Sequence, residues 1–107
     1  MKEYDVTIET MASQDILDIR RYISGALKEP VIAKRIFESI KKAVRSLEHN
    51  PKRHAVVSEE PYASIGIRPL LVENYIAFYV VNERAKQVSV IRVLYNRREW
   101  QTIMLGM

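Results

Sequence analysis

Residues Val88–Trp100 read VSVIRVLYNRREW, and the rest of the predicted fold is arranged around them. Its first half is rich in apolar, β-branched residues, which predicts a strand over Gln87–Leu94. Its second half gathers basic and aromatic side chains. We expect the strand to lie at the centre of a sheet, and Tyr95–Leu105 to leave the sheet with a short helical turn.

Three further strands are predicted around this one. Tyr4–Thr10 (YDVTIET) alternates apolar and polar residues, as a half-buried edge strand does. Ile65–Val72 contains Pro69, which suits an edge strand or a bulge because proline cannot donate to a neighbouring strand. Tyr75–Val81 is apolar on both faces, which is typical of a central strand. Residues 82–86 form the turn that joins it to the last strand.

Two amphipathic helices lie between the first and second strands. The first is predicted from Ser13, its N-cap, to Leu27, with apolar residues at helical spacing. The second begins at Pro30 and ends near Asn50, because Pro51 disfavours helical geometry in the residue before it. The short connection makes them an antiparallel helical hairpin. The outer face of the second helix is basic, with Lys34, Arg35, Lys41, Lys42 and Arg45.

The element order predicts an α+β fold of one domain, residues 1–107: a strand, a helical hairpin, then a three-stranded antiparallel meander. The helices should cover one face of a mainly antiparallel sheet and leave the other face open. Lys52–Ser64 is predicted to be a loop, in which Ala55–Val57 is a candidate for a short strand.

Composition narrows the class of protein. The chain of 107 residues has a net charge of +4, which favours anionic partners. It contains no cysteine, so disulfides and thiol chemistry are excluded. The first residues lack the apolar run of a signal peptide. The apolar run Tyr75–Val81 is far shorter than the roughly 20 residues of a spanning helix. We therefore expect a cytoplasmic protein that does not associate with membranes.

The sequence contains none of the common motifs for nucleophilic catalysis, phosphate binding or metal binding. There is no nucleophile elbow, no glycine-rich phosphate loop and no Cys/His metal spacing in the sequence. His49 and His54 flank Pro51 and make a poor pair of metal ligands. We expect no metal site and no cofactor, and we interpret His54 as a solvated loop residue.

Arg92 has the position of a structural residue. In a regular strand it shares one face with Val90 and Leu94, so it points into apolar surroundings. A buried arginine needs a carboxylate partner. The first helix offers Asp15 and Asp18, and we predict an ion pair between Arg92 and one of them.

A basic and aromatic cluster follows the last strand, comprising Tyr95, Arg97, Arg98 and Trp100. An arginine beside an aromatic ring can bind a phosphate and a base together, which favours a target-binding surface. A solvated face with a local ion pair is the alternative. Arg68 either converges with Tyr95 and Arg97 on the open sheet face or is a snorkelling edge arginine.

These motifs, in their order and spacing, resemble the RelE/ParE toxins of bacterial type II toxin–antitoxin systems. The resemblance covers nearly the whole chain, and the long hairpin with an arginine in the fourth strand is closer to the ParE branch. The motifs are YDVTIET, Asp15-Ile16-Leu17-x-Ile19-x-x-Tyr22-Ile23, Leu47-x-x-Asn50-Pro51, Gly66-x-Arg68, Tyr75-Ile76-Ala77-Phe78-Tyr79 and Val90-Ile91-Arg92-Val93-Leu94-Tyr95-Asn96-Arg97-Arg98.

The resemblance implies a growth-inhibiting toxin, of the kind used in plasmid stabilization, and a cognate antitoxin that neutralises it. The antitoxin should carry an acidic amphipathic segment, which would lie between hairpin and sheet and match the basic residues of the second helix.

ParE-like toxins inhibit DNA gyrase, whereas RelE-like toxins cut mRNA on the ribosome without a metal. The first case implies a non-enzymatic inhibitor. The second implies an endoribonuclease using Arg68, Tyr95 and Arg97. Ile76 stands where the RelE-like pattern has an arginine, which favours the ParE-like case. A binding module without toxicity is a third alternative.

Overall fold

The computed structural model describes residues 2–96 and 100–105. A four-stranded sheet in the order β1-β4-β3-β2 runs through it. β1 is parallel to β4, and the other two neighbouring pairs are antiparallel. The α+β prediction is confirmed, with β4 inside the sheet and β1 and β2 at its edges. The strands are β1 (Asp5–Ile8), β2 (Arg68–Val72), β3 (Tyr75–Asn82) and β4 (Gln87–Tyr95).

The predicted helical hairpin is present on one face of the sheet. Apolar side chains from both helices meet the sheet there and form the main core, which includes Ile16, Ile40, Leu47, Tyr79 and Val90. Within the described ranges, no helix is long and apolar enough to cross a bilayer. The helices are α1 (Thr10–Arg21), α2 (Pro30–Arg45), α3 (Tyr62–Ile65) and α4 (Trp100–Leu105), and short 3₁₀ turns cover Ser46–Glu48 and Pro51–Arg53.

α1 begins at Thr10, three residues before the predicted start, so Ser13 is not its N-cap. Glu9 is the capping residue, with an extended backbone and no side-chain cap bond. Its N–H donates to the Val90 carbonyl, 2.9 Å away. The chain therefore passes from β1 directly into the helix, and this early start buries Ala12 completely in the core.

A π-helical turn, Tyr22–Ala26, continues α1. The Leu27 N–H donates to the Tyr22 carbonyl five residues back, at 3.0 Å. The hairpin then turns through Lys28, which has a positive φ of 55°. π-Helical turns occur preferentially next to functional sites, and this one ends beside the groove described below.

The start of β2 and the preceding loop differ from the prediction. Ile65 belongs to α3, so β2 begins only at Arg68. Gly66 ends α3 with a left-handed φ of 87°, a conformation that glycine adopts without a steric penalty. Ala55–Val57 forms no strand. The Val57 N–H donates one hydrogen bond to the Ile67 carbonyl at 2.9 Å, but no strand pairing follows from it.

The second face of the sheet is covered, and the prediction of an open face is wrong. α3 and α4 pack on it and form a second core around Tyr62, Phe78, Leu94 and Met104. Phe78 is only 1% exposed. The predicted final helical turn is present as α4. Helices this short give no clear periodic pattern, so their packing on the sheet was not recognisable in the sequence.

β4 contains an irregularity that changes which way its side chains point. Arg92 lies opposite Phe78 and Val90 opposite Tyr79, so Ile91 is an extra residue, as in a β-bulge. Val90 packs in the main core, whereas Leu94 packs in the second core. The prediction that both share one face with Arg92 is therefore wrong, because it assumed strict alternation.

Candidate functional site

An open groove lies between the helical hairpin and the end of the sheet, with a volume of about 810 Å³. We call it the groove. α1, the π-helical turn and the start of α2 form one wall, and the ends of β3 and β4 form the other. The charged side chains that line it are Asp15, Asp18, Glu29 and Arg92. Most of the lining is apolar or aromatic: Ile19, Tyr22, Ile23, Leu27, Ile32, Ile36, Tyr75, Val93, Leu94 and Tyr95.

The mouth of the groove exposes large apolar side chains to solvent. Tyr22 is 59% exposed, Leu27 51%, Ile32 40% and Tyr95 38%. Exposed apolar patches of this kind mark interaction sites on soluble proteins. The apolar stripes of both helices are wider than the main core requires, and this width is the sequence signal from which the groove could have been found.

Arg92 and Asp15 form an ion pair at the base of the groove. Arg92 Nε and Nη2 donate to the two carboxylate oxygens over 2.7 and 2.9 Å, and both side chains are 13% exposed. The hydrogen bonds that Arg92 donates to Asp15 hold the pKa of Arg92 above its usual value. The predicted pairing with the first helix is thus present. Asp18 is not the partner, since it accepts a hydrogen bond from Gln14 at 2.8 Å.

Asp15 also satisfies the backbone of β4. Pairing between β1 and β4 ends at Ile8 and Val90. Beyond that point the N–H of Val93 donates to Asp15 Oδ2 at 2.9 Å. A side-chain carboxylate therefore takes over where the neighbouring strand stops, and a buried N–H is not left unsatisfied. This bond fixes α1 against the wall of the groove.

Three tyrosines of the groove lining, Tyr22, Tyr75 and Tyr95, lie close to one another. The rings of Tyr75 and Tyr95 lie 5.6 Å apart, at an angle of 53°. Burial raises the pKa of Tyr75, and the nearby Tyr95, Glu73 and Tyr22 raise it further. Tyr95 therefore faces the hairpin side, as Tyr75 does, instead of an open opposite face.

Arg68 lies at the other end of the sheet, away from Tyr95. It pairs with Tyr79 across β2 and β3, whereas Tyr95 pairs with Tyr75. Four residues of strand separate those positions, about 13 Å. The Arg68 guanidinium donates to the Lys52 and His54 carbonyls. Of the two alternatives for Arg68, convergence with Tyr95 is not met, because Arg68 lies opposite the middle of β3 and Tyr95 lies opposite its first residue.

Hydrogen bonds from Arg53, Arg68 and Tyr79 hold the loop after α2 in place. We call this loop and these three residues the closed end. Arg53 donates to the His49 carbonyl at 2.8 Å and to Ser46 Oγ at 2.7 Å. The fully buried Tyr79 hydroxyl donates to the Pro51 carbonyl. Both arginine side chains at the closed end therefore bind the protein's own backbone.

His54 is a partly buried residue of the closed end, and its interpretation as a solvated residue is wrong. Its Nε2 is buried and has no hydrogen-bond partner within residues 2–96 and 100–105. Burial lowers the pKa of His54, and the positive charges of Arg53 and Arg68 lower it further. Both effects favour the neutral form of the imidazole.

Trp100 packs against the second core. Its ring lies 4.9 Å from Phe78 and 5.3 Å from Tyr62, measured between centroids. The structure therefore gives Trp100 a part in anchoring α4. The two arginines predicted to bind a target, Arg97 and Arg98, lie outside the described residues.

Comparison with known proteins agrees with this architecture. The chromosomal ParDE toxin–antitoxin system of P. aeruginosa matches with a TM-score of 0.70 and 21% identity over 87% of this chain and 96% of that one. The RelBE2 toxin–antitoxin complex of Mycobacterium tuberculosis gives 0.66 and 18%, covering 87% and 98%. The RelE–RelB complex of Pyrococcus horikoshii OT3 gives 0.62 and 15%, covering 90% and 98%. At these identities the likeness is one of fold.

No curated protein sequence is significantly similar to the chain. The family model described as the ParE toxin of type II toxin–antitoxin system, parDE, matches residues 6–100. That match runs from β1 to the first residue of α4 and includes both walls of the groove. The chain therefore belongs to the ParE toxin family of type II toxin–antitoxin systems.

Proposed function

We propose that this chain is a toxin that inhibits bacterial growth in the cytoplasm and is neutralised by a cognate antitoxin bound in the groove. The observation that carries the proposal is the apolar mouth formed by Tyr22, Leu27, Ile32 and Tyr95, in a chain of the ParE toxin family. An amphipathic segment can bury its apolar side there, as helices do in hydrophobic grooves. The solved toxin–antitoxin complexes of the same fold support a protein partner.

The target that we propose is DNA gyrase, inhibited by binding. Two observations favour this over ribosome-dependent cleavage of mRNA. Arg68 is occupied by backbone carbonyls at the end of the sheet remote from Tyr95, so these two members of the predicted nuclease trio are not brought together. The side chain of β3 next to Tyr75 is Ile76, which packs at the second core and supplies no cation.

An induced-expression experiment separates the two targets. We expect loss of plasmid supercoiling and a DNA-damage response within minutes of induction, while messages stay intact. Rapid cleavage of mRNA on ribosomes with normal supercoiling would establish the nuclease alternative instead. Growth that continues despite folded product would leave only a binding module. Arg97→Ala tests the predicted target surface, with Arg84→Ala in the exposed β3–β4 turn as the matched control.

A second experiment tests the groove. Ile32→Asp places a charge at its mouth, so we expect the variant to arrest growth but to resist neutralisation by the co-expressed antitoxin. Val31→Asp is the matched control, because Val31 is 80% exposed and lies outside the lining. Equal neutralisation of both variants would show that the antitoxin binds elsewhere.

A further inference from the structure

We infer that the segment bound in the groove presents a basic side chain, lysine or arginine, to a lining that includes Asp18, Glu29 and three tyrosines. This inference rests on the proposed function for the identity of the partner, and it names the chemistry that the partner needs. It differs from the expectation of an acidic segment between hairpin and sheet, which came from the family resemblance and from the basic residues of the second helix.

The first support is the charge of the lining. Arg92 is the one cation in the described lining, and Asp15 already neutralises it. Asp18 and Glu29 make no ion pair within residues 2–96 and 100–105, and the one side-chain partner of Asp18 there is the neutral Gln14. The lining thus holds two exposed carboxylates that are in no ion pair among the described residues, and a carboxylate on the partner would be repelled there.

The second support is the tyrosine cluster. Tyr22, Tyr75 and Tyr95 line the same groove as Asp18 and Glu29. The face of a tyrosine ring attracts a cation within about 6 Å. Rings and carboxylates together favour a guanidinium or ammonium group, because its charge meets the carboxylates while its alkyl stem packs on the rings.

The third support is the position of the basic face of α2. At about 100° per residue, Lys34, Lys41 and Arg45 point roughly 180° away from Ile32 and Ile36, which line the groove. A segment lying in the groove therefore cannot match these three cations. Arg35, on the side of the helix, is already paired with Glu73. Acidic residues of the antitoxin would reach α2 only from a part that continues outside the groove.

A displayed peptide library tests the inference. The probe is a library of 18-residue amphipathic helices with a fixed leucine face and Lys, Glu or Gln at the flanking positions. It is selected against the full chain made by cell-free synthesis. Binders that are lost with Ile32→Asp, and kept with Val31→Asp, are counted as groove-bound. We expect Lys to exceed Glu about ten-fold at one flanking position among them.

A charge-reversed chain supplies the decisive control. With Asp18→Lys and Glu29→Lys together, we expect the preference at that position to change to Glu. Enrichment of Glu with the unaltered chain, a preference unchanged by the reversal, or no groove-dependent binder would each overturn the inference. Failure of the proposed function looks different, since it is the absence of growth arrest on expression, whatever the peptide preference.

Discussion

The two ends of the sheet on its hairpin side use the same residue types for different purposes. At the closed end, Tyr79 is completely buried and Arg68 donates to carbonyls of the neighbouring loop. At the groove end, Tyr95 is partly exposed and Arg92 is held by Asp15. Arg68 and Arg92 are therefore both engaged within the protein, and neither guanidinium is free to bind a ligand. The difference between the ends is the exposed apolar surface, and that surface is the reason we propose the groove as the site for a partner.

The largest expected effect comes from the ion pair beneath the groove. Asp15→Ala leaves Arg92 without its partner in a site that is 13% exposed, and it also removes the acceptor of the Val93 N–H. We expect the free energy of unfolding to fall by about 3–5 kcal/mol. Urea denaturation measures this. Asp18→Ala is the control, with a change within about 0.5 kcal/mol.

A loss of stability as small as the control's would contradict the structural role of Asp15. The double variant Asp15→Leu with Arg92→Leu removes both charges at once. It should recover much of the stability that Asp15→Ala loses, because no unpaired charge then remains buried.

The second effect concerns the closed end. Arg68→Ala removes hydrogen bonds to two carbonyls of the loop, and we expect the free energy of unfolding to fall by about 1–3 kcal/mol. Arg84→Ala, in an exposed turn, should change it by less than about 0.5 kcal/mol. Toxicity should persist wherever the Arg68 variant stays folded. A stable variant that no longer arrests growth would instead place Arg68 in the target-binding surface.

A smaller effect at the closed end depends on pH. The pKa of His54 is lower in the folded chain than its ordinary value of 6.5, so the unfolded chain binds more protons as pH falls below 6.5. The folded state therefore keeps the full stabilisation from His54 above pH 6.5, where His54 is neutral in both states. It loses stability as pH falls from 6.5 toward the folded-state pKa of His54. The urea midpoint of unfolding should therefore decrease from pH 7.5 to 6.5 and again to 5.5. His54→Gln should remove part of that decrease, and identical pH profiles would contradict the assignment.

The smallest expected effect is that of salt on antitoxin binding. Added salt should weaken the affinity by a few-fold, since exposed charges on both proteins are screened. Titrations at low and high ionic strength measure it. The unaltered chain and the Ile32→Asp variant should show similar relative losses, because that substitution mainly affects apolar contact. An affinity that is flat across ionic strength would contradict a charged contribution.

The sequence was sufficient to place β4 inside the sheet and to pair Arg92 with a carboxylate of the first helix. The first follows from the apolar pattern of the strand, and the second from the cost of burying an unpaired charge. The bulge at Ile91 was not predictable, since it depends on the register between two strands. The role of Arg68 depends on where the loop after α2 lies, which no local pattern contains. The second core needed contacts between α4 and strands far away in the chain.

The π-helical turn at Tyr22–Ala26 has a consequence for the tolerated length of the chain. A π-turn holds one residue more than an α-helical turn. Each side chain after the turn therefore points where the side chain of the preceding residue would point if the α-helix had continued without the extra residue. Leu27 points into the groove for that reason. Deleting Gly25 would give a regular α-helix in which Leu27 keeps its direction. Deleting Arg20 would instead rotate Tyr22 by about 100°, so the hairpin can be shortened at the π-turn but not before it.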